Sequence, residues 1–224
     1  MTTLNFGEVV RARHSSRHFP PTPVDPEQIQ EVLEDAQRAP SNANTQPWQV
    51  HIVSGHTREA VSAALLEAAS QQQYSPDFSW DENAYTGIFA ERRWEQGKAY
   101  YEALGIARDD KEGRAELFRA NLRFFGAPHV AFLFMPSIGD GVRVASDVGM
   151  YAQNFLLSLT SRGLAGVPQT LLGLFADPIR EVLGIGTDMK LLFGISFGHA
   201  DQSELAANLR MGRAPLTESV RFHN

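Results

Sequence analysis

The sequence contains no cysteine, which excludes disulfides, cysteine zinc sites, iron–sulfur clusters and thiolate nucleophiles. Any redox chemistry therefore has to come from a bound cofactor. Long runs of Lys or Arg are also missing, and 20 basic against 26 acidic residues leave a formal charge of -6. A chain of this charge without a basic stripe is not expected to bind nucleic acid as its main partner.

Apolar runs long enough to cross a bilayer, which need about 18 residues, are absent as well. The N-terminus shows no apolar stretch of signal-peptide length. We therefore expect a cytoplasmic protein without a membrane partner.

The residues that are present favour one folded unit. The 224 residues are 43% hydrophobic and include 14 phenylalanines, enough for one substantial core. We expect a single domain over residues 1–224. The irregular stretch at about 71–120 is predicted to be a helical, lid-like insertion, and the polar tail at about 201–224 a C-terminal arm.

Hydrophobic periodicity and capping residues predict the main elements. Asn5 and Glu8 have capping-box spacing, and Asp25-Pro26 reads as a cap followed by a first-turn proline. Residues 129–135 are continuously apolar, as in a central strand buried on both faces. Residues 144–159 are apolar almost all round, which predicts a helix in the core or, as we favour, at a subunit interface. The other predictions are strands at 48–53 and 191–198 and a turn-rich connection at 163–168.

The segment from Arg13 to Phe19 places two guanidinium groups and a hydroxyl at the end of a helix. Arginine forms planar, charge-assisted hydrogen bonds to phosphate, and a serine hydroxyl adds a donor. The segment therefore resembles an anion site. The alternative is that these arginines are ordinary solvated surface charges.

The loop from Ala39 to Trp48 gathers small residues, carboxamides and hydroxyls just before a predicted strand. Such a loop can offer backbone and side-chain hydrogen bonds to a flat polar ligand. An ordinary turn, in which Asn and Ser satisfy their own backbone, is the alternative.

Three other patterns in the sequence are less specific. His14 and His18 are four residues apart, but no third ligand lies nearby, so no metal site is predicted. Gly184-Ile185-Gly186 lacks the third glycine and the preceding strand of a dinucleotide fingerprint, and it is interpreted as a helix C-cap. Aromatic residues are frequent between 74 and 101 and could wall an acceptor pocket or simply pack in the core. They are Tyr74, Phe78, Trp80, Tyr85, Phe89, Trp94, Tyr100 and Tyr101.

The arginine segment and the polar loop, joined by a capped helix, resemble the nitroreductase family of FMN-dependent oxidoreductases. The resemblance continues at Gly126-Ala127-Pro128-His129-Val130, at 163–169 (GLAGVPQ) and at 208–216 (NLRMGRAPL). It covers most of the chain outside the stretch 71–120.

The resemblance implies an α+β fold, a nitroreductase-like three-layer sandwich whose mixed, mostly antiparallel sheet is flanked by helices. It also implies an interlocked homodimer with FMN at the subunit interface and NADH or NADPH as co-substrate. The implied reaction is ping-pong reduction of small acceptors such as nitroaromatics and quinones. No catalytic side chain is expected, since N5 of the flavin carries the hydride and the protein orients the reactants.

The resemblance also assigns cofactor-binding residues. Arg13 and Ser15 would hold the FMN phosphate or ribityl chain, Arg17 would reach the pyrimidine edge of the ring, and Arg213 would close on the phosphate. Ser41 and Asn44 would line the ring from the partner subunit. The backbone amides of Thr170 and Leu171 would lie near N5, where relatives usually have an acidic residue and a glycine. The predicted set is completed by His14, Asn42, Gln46, Pro168 and Gln169.

Two other functions stay open on the sequence. The same fold could serve a reductive dehalogenase acting on halotyrosine, although residues 71–120 show no clear Glu, Tyr and Lys trio for an amino acid. The chain could also be a flavin-binding or storage protein without significant turnover.

Overall fold

The structure of the chain, a computed structural model, describes residues 4–201, 203 and 209–223. Helices alternate with four strands along most of this length. The helices are α1 (Phe6–Ala12), α2 (Pro26–Ala36), α3 (Gly55–Ser70), α4 (Ile88–Ala103), α5 (Lys111–Leu122), α6 (Val142–Ser161), α7 (Ala176–Leu183) and the short α8 (Leu216–Ser219). None of the described helices is long and apolar enough to cross a membrane.

The four strands form one sheet in the order β1-β2-β4-β3. They are β1 (Gln49–Ser54), β2 (His129–Pro136), β3 (Ala165–Gln169) and β4 (Met189–Gly198). Every pair of neighbouring strands in this sheet is antiparallel. A parallel contact occurs at the isolated bridge between Ser15 and Gly166.

Strand β2 divides the core into two halves, because successive side chains of a strand point to opposite faces. Val130, Phe132 and Phe134 pack with buried residues of α3, α5 and α7. Ala131, Leu133 and Met135 pack with α2 and α6 on the other face. Helices cover both faces of the sheet, so the α+β three-layer sandwich and the doubly buried central strand are confirmed.

The first two helices begin where their caps predict. The Asn5 side chain accepts from the Glu8 amide at 3.1 Å, and the Glu8 carboxylate accepts from the Asn5 amide at 2.7 Å, which completes the capping box. The Asp25 carboxylate accepts from the Glu27 amide at 2.9 Å. These caps fix the two ends of the arginine segment between α1 and α2.

The predicted turn-rich connection at 163–168 is wrong. Gly163 adopts a left-handed conformation after α6, but Ala165–Gln169 then forms β3 at the edge of the sheet. The strand was hidden by Gly166 and Pro168, residues that normally weaken a strand. Pro168 is tolerated because β3 pairs with β4 on one side only in the described sheet.

The stretch 71–120 holds α4 and α5 with short irregular connections, as its composition predicts. The beginning of this stretch is held in place, because Ser75 forms a β-bridge with Phe175 next to α7. In the tail, Asn208 lies outside the described residues. Arg210 donates to the Ala12 carbonyl at 2.7 Å and so joins the described tail to the end of α1.

Candidate functional site

The arginine segment follows α1 directly and lies along the sheet. Arg13 is the C-cap of α1, and its amide donates to the Val9 carbonyl at 3.0 Å. Ser15 bridges to Gly166 in β3, and the Phe19 amide donates to the Phe125 carbonyl at 3.1 Å, just before β2. The segment is thus held at its start by α1 and β3, and at its end by the turn that precedes β2.

This segment and the described tail enclose a cavity of about 540 Å³, the basic cavity. Arg17 and four further predicted residues line it, together with a residue of α4 and other residues of α1 and the tail. The full lining is Val10, Arg11, Arg13, His14, Ser15, Arg17, Gln96, Leu209, Arg210, Met211 and Arg213. The structure therefore brings Arg213 near Arg13, which is 200 positions away along the chain.

The electrostatics of the basic cavity are those of a site for an anion. Burial, and then the nearby Arg213 guanidinium, lower the pKa of Arg13. Like charges held this close repel each other. Within residues 4–201, 203 and 209–223, none of Arg11, Arg13, Arg17, Arg210 and Arg213 forms an ion pair with a carboxylate. A bound phosphate would relieve this repulsion.

The arginines are held by neutral contacts instead. Arg213 donates to the carbonyls of Met211 and Gly212, both at 2.9 Å. Arg17 donates to the Ser15 carbonyl at 3.4 Å, and its guanidinium carbon lies 4.7 Å from the ring centre of Tyr100 on α4. Burial lowers the pKa of Arg17, and it raises that of Tyr100 to about 12. Because arginine is not deprotonated in proteins, Arg17 presents a positive charge to the neutral aromatic ring of Tyr100.

A second cavity, of about 550 Å³, is the aromatic cavity. Its lining residues come from the stretch that precedes α4, from α4 itself and from the end of β3. They are Ser79, Trp80, Asp81, Tyr85, Phe89, Arg92, Arg93 and Thr170. Three of the aromatics predicted to wall an acceptor pocket are among them.

Helix α4 takes part in both cavities through one of its faces. Phe89, Arg92 and Arg93 line the aromatic cavity, Gln96 lines the basic cavity, and Tyr100 contacts Arg17. These residues follow the i, i+3, i+4, i+7, i+11 spacing of a single helical face. The same helix therefore connects the two cavities.

The other aromatics have structural contacts. Tyr74 packs on Phe175 with ring centres 5.4 Å apart, and Tyr101 lies under the Arg114 guanidinium at 4.7 Å. Trp94 is exposed, with the Lys98 ammonium 5.3 Å from its ring. Phe78 is 40% exposed. Of the two roles that the sequence allows for these aromatics, Tyr74 and Tyr101 therefore have the second, which is packing against other side chains.

The predicted residues at the end of β3 divide by burial. Thr170 is exposed and lines the aromatic cavity, and Leu171 packs partly into the core. The Gln169 side chain is buried: its amide donates to the Asn121 carbonyl at 2.9 Å and to Oδ1 at 2.8 Å, and its Oε1 accepts from Ser196. Pro168 is exposed and has no N–H. Gln169 and Pro168 can therefore offer a ligand only backbone groups and ring surface, respectively.

The polar loop with Ser41, Asn42, Asn44 and Gln46 lies elsewhere. None of these described residues lines the basic cavity or the aromatic cavity. The loop is tied to α6, where the buried Asp147 accepts from the Asn42 amide at 3.1 Å. The Ser41 hydroxyl accepts from the Gln46 amide at 2.9 Å.

The backbone of this loop is strained. Ala43, Asn44 and Gln46 have φ of 50°, 56° and 47°, left-handed values that non-glycine residues rarely adopt. Each costs on the order of 1–2 kcal/mol. Strain of this kind concentrates at binding sites. An exposed, strained and fixed loop is thus available to a ligand or a second chain.

Sequence reasoning missed part of both linings. Ser79, Asp81, Arg92, Arg93 and Gln96 were not singled out. The signal was the helical spacing of α4, which places its arginines and Phe89 on one face. Within the described residues, no group of three or more His, Asp or Glu side chains is arranged to hold a metal ion.

The chain is similar in sequence to a known protein family and to characterised members of it. The model of the Nitroreductase family matches residues 10–199. The chain is 42% identical over 214 residues to the nitroreductase NfnB of Mycolicibacterium smegmatis, covering 96% of this chain and 91% of that protein. It is 33% identical over 215 residues to the 4-nitrobenzoate reductase of Pseudomonas putida, covering 95% and 93%.

A solved structure is equally similar. The crystal structure of the FMN-dependent nitroreductase NfnB from Mycobacterium smegmatis in complex with NADPH superimposes with a TM-score of 0.94. The identity is 42%, and the match covers 97% of each chain. Fold and sequence therefore agree over almost the whole length.

Proposed function

Because the chain belongs to the nitroreductase family, we propose that it is an FMN-dependent NAD(P)H oxidoreductase that reduces nitroaromatics, quinones and similar small acceptors. The observation that carries the proposal is the basic cavity, which Arg13 and Arg213 both line and whose described lining contains no Asp or Glu. NADPH is the favoured reductant, since the similar M. smegmatis enzyme is described in complex with it.

The basic cavity fits the phosphate of FMN. Guanidinium groups bind phosphate in planar, paired hydrogen bonds, each worth about 1.5–3 kcal/mol. Arg13 and Arg213 would hold the phosphate, and Ser15 would add a hydroxyl to it or to the ribityl chain. His14 lies at the same wall, where its Nδ1 is 3.0 Å from the Ala12 carbonyl.

The distance between the two cavities suits a long ligand. Ser15 bridges to Gly166 at one end of β3, and Thr170 follows the other end of that strand. Four residues of strand span about 13 Å. A ligand with a phosphate at one end and a flat ring at the other can therefore lie along β3, with its ring beside the amides of Thr170 and Leu171.

When bound, FMN supplies the group that accepts hydride from NAD(P)H and delivers it to the acceptor. The residues of this chain bind and orient. Arg17, half-buried and charged, would face the polar edge of the ring, and a guanidinium about 4 Å away contributes around 4 kcal/mol at an effective dielectric of 20 before solvent is discounted. The aromatic cavity would receive NAD(P)H and the acceptor in turn, which gives ping-pong kinetics.

A homodimer would complete the site. We assign Ser41, Asn42, Asn44 and Gln46 to the flavin of the partner subunit, because the loop is exposed, strained and outside both cavities of its own chain. The exposed side of α6, with Val142 67% and Met150 36% exposed, would contribute to the subunit contact.

The single domain, the lid at about 71–120 and the C-terminal arm at about 201–224 remain part of this proposal. Helix α4 suits a lid because its one face lines both cavities. Two contacts support the arm: Arg210 to the Ala12 carbonyl, and Glu218 to Arg92.

The test is spectroscopic and kinetic. The purified protein is expected to be yellow, to hold one FMN per chain and to lose its visible absorbance on rapid anaerobic mixing with NADPH. Nitrobenzene should then restore it. A colourless protein that ignores added FMN would refute the proposal, and flavin that stays oxidised on the timescale of turnover would indicate a storage protein.

A further inference from the structure

We propose that Glu218 is a tethered carboxylate that occupies the acceptor-binding Arg92, so that aromatic acceptors carrying their own carboxylate compete with it for this guanidinium. Arg92 would favour nitroaromatic carboxylates over neutral nitroaromatics in the aromatic cavity, and Glu218 would reduce that preference by competing for the same guanidinium. This inference rests on the proposed function and names the acceptor class of that same site.

The contact joins helix α4 to the C-terminal tail. Arg92 Nη2 lies 2.5 Å from Glu218 Oε2, and the two residues are 126 positions apart along the chain. Arg92 also lines the aromatic cavity. The tail therefore places a carboxylate on a cationic wall residue of the cavity assigned to the acceptor.

The remaining lining fits an aromatic acid. Trp80, Tyr85 and Phe89 offer flat apolar surface to a benzene ring. The guanidinium of Arg92 can bind a carboxylate through two parallel hydrogen bonds. An aromatic carboxylate satisfies both parts of the lining, whereas nitrobenzene satisfies the aromatic part alone.

Exchange of Glu218 for a ligand carboxylate is energetically easy. The two side chains are 41% and 47% exposed, and exposed ion pairs contribute little to stability. Helix α8 has four residues, and its Leu216 is 65% exposed. Because one carboxylate replaces another, Arg92 keeps a partner throughout the exchange.

The first experiment measures acceptor selectivity, the ratio of kcat/KM for 4-nitrobenzoate to kcat/KM for nitrobenzene, with the FMN-loaded enzyme. Glu218→Gln removes the competing charge and should raise the ratio about two- to fivefold, the range of an exposed ion pair. Arg92→Gln should lower it. In the double variant, Glu218→Gln should have no further effect, since the shared partner is gone.

The matched control is Glu91→Gln. Glu91 is an exposed carboxylate on α4, two residues and about 200° around the helix from Phe89, so it lies away from the cavity face. It changes net charge by the same amount. If Glu91→Gln and Glu218→Gln change the selectivity by the same amount, the effect comes from the net charge and not from the contact with Arg92. That result would overturn the inference.

A binding measurement gives a readout independent of turnover. Calorimetric titration of the oxidised enzyme with benzoate should show a Kd about two- to fivefold lower in Glu218→Gln than in the unsubstituted protein. The gain should shrink as salt rises, because the charges are exposed. An unchanged benzoate Kd contradicts the inference.

Three further outcomes separate the proposals. If Glu218→Gln changes the NADPH to NADH preference and leaves the acceptor ratio unchanged, the anion bound by Arg92 is a co-substrate phosphate and the acceptor inference is wrong. If nitrobenzene is reduced normally while the ratio stays fixed in every variant, the inference fails and the proposed function stands. If neither acceptor is reduced, both fail.

Discussion

The guanidinium carbon of Arg17 lies 4.7 Å from the ring centre of Tyr100. This contact joins the segment after α1 to α4, two elements separated in the sequence by two helices and a strand. A guanidinium over an aromatic face contributes about 0.5–2 kcal/mol. The ring of Tyr100 keeps the charge of Arg17 in place at the basic cavity. A carboxylate partner would neutralise that charge, whereas the ring does not.

Replacing Tyr100 by leucine should weaken FMN binding. Without the ring, Arg17 loses the surface that orients it, and we expect the Kd for FMN to rise about 2- to 30-fold. Tyr100→Phe keeps the ring and should remain within about twofold. Fluorescence titration of apoprotein with FMN measures both, and equal losses in the two variants would rule out a role for the ring face.

Arg13→Gln and Arg213→Gln should each weaken FMN binding, because each removes a charge-assisted hydrogen bond to the phosphate. The expected rise in Kd is about 10- to 150-fold. Riboflavin, which has no phosphate, should show a much smaller change. Arg108→Gln, an exposed arginine outside both cavities, serves as the control.

The same variants should not destabilise the apoprotein. Burial, and then repulsion from Arg213, lower the pKa of Arg13, so removing either charge relieves an unfavourable interaction. We expect the apoprotein Tm to stay the same or rise. A fall in apoprotein Tm together with weaker FMN binding would instead indicate that these arginines support the fold.

Stability should decrease as the pH falls below 6.5, in part because of His129. Its Nε2 accepts from the Val24 amide at 3.0 Å, a role that requires the neutral ring, and burial followed by the charges of Arg58 and His199 lowers its pKa from 6.5. As the pH falls, the unfolded chain therefore takes up the proton before the folded chain does. The free energy of unfolding decreases from pH 6.5 down to the lowered pKa.

His129→Gln can still accept from the Val24 amide but does not titrate. It should flatten the decline of Tm with falling pH, as followed by thermal unfolding at successive pH values. Burial lowers the pKa of His51 too, so part of the slope should persist. His56→Gln, at an exposed position, should leave the slope unchanged. A His129→Gln profile parallel to that of the unsubstituted protein contradicts the prediction.

Gly126→Ala should destabilise the protein more than Gly163→Ala. Both glycines have positive φ, 79° and 73°, so alanine costs about 1–2 kcal/mol at either. At Gly126 the new Cβ would also lie 2.9 Å from the Phe19 carbonyl oxygen, whereas nothing lies within 4 Å at Gly163. Urea unfolding of the two variants should show the difference. Equal losses would mean that the backbone near Phe19 yields freely.

Mixed dimers should test where the polar loop acts. In the proposed homodimer, Arg213→Gln and Asn44→Trp are each expected to impair both flavin sites. If the loop serves the partner's flavin, random mixing should leave about a quarter of all sites intact, since a mixed dimer gathers both substitutions in one site. Activity that does not recover on mixing would place both residues in the same subunit's site.

Local chemistry explains what the sequence could predict. The capping box of Asn5 and Glu8, the Asp25-Pro26 helix start and the apolar run of β2 depend on neighbouring residues only, and all three are confirmed. The prediction at 163–168 failed because Gly166 and Pro168 disfavour a strand locally. The pairing of β3 with β4 outweighs that preference.

For the site, the sequence supplied the residue types and the structure supplied the distances. Taken singly, the arginine segment and the polar loop could each be ordinary surface. The order of these motifs along the chain indicates a flavin protein. Arg213 could be assigned only by resemblance, yet the structure places it at the arginine segment. The arginines of α4 were not predicted as site residues, because the sequence does not show which cavity or element a helical face lies against.

The sequence by itself determined the helix starts, the central strand, the absence of thiol chemistry and the family. Only the tertiary structure decided that Arg13 lies near Arg213 and that Arg92 pairs with Glu218, residues that are 200 and 126 positions apart. Capping and periodicity act within a few residues, whereas such contacts depend on how the whole chain packs. The surroundings that fix a group's charge and reactivity are therefore formed only on folding.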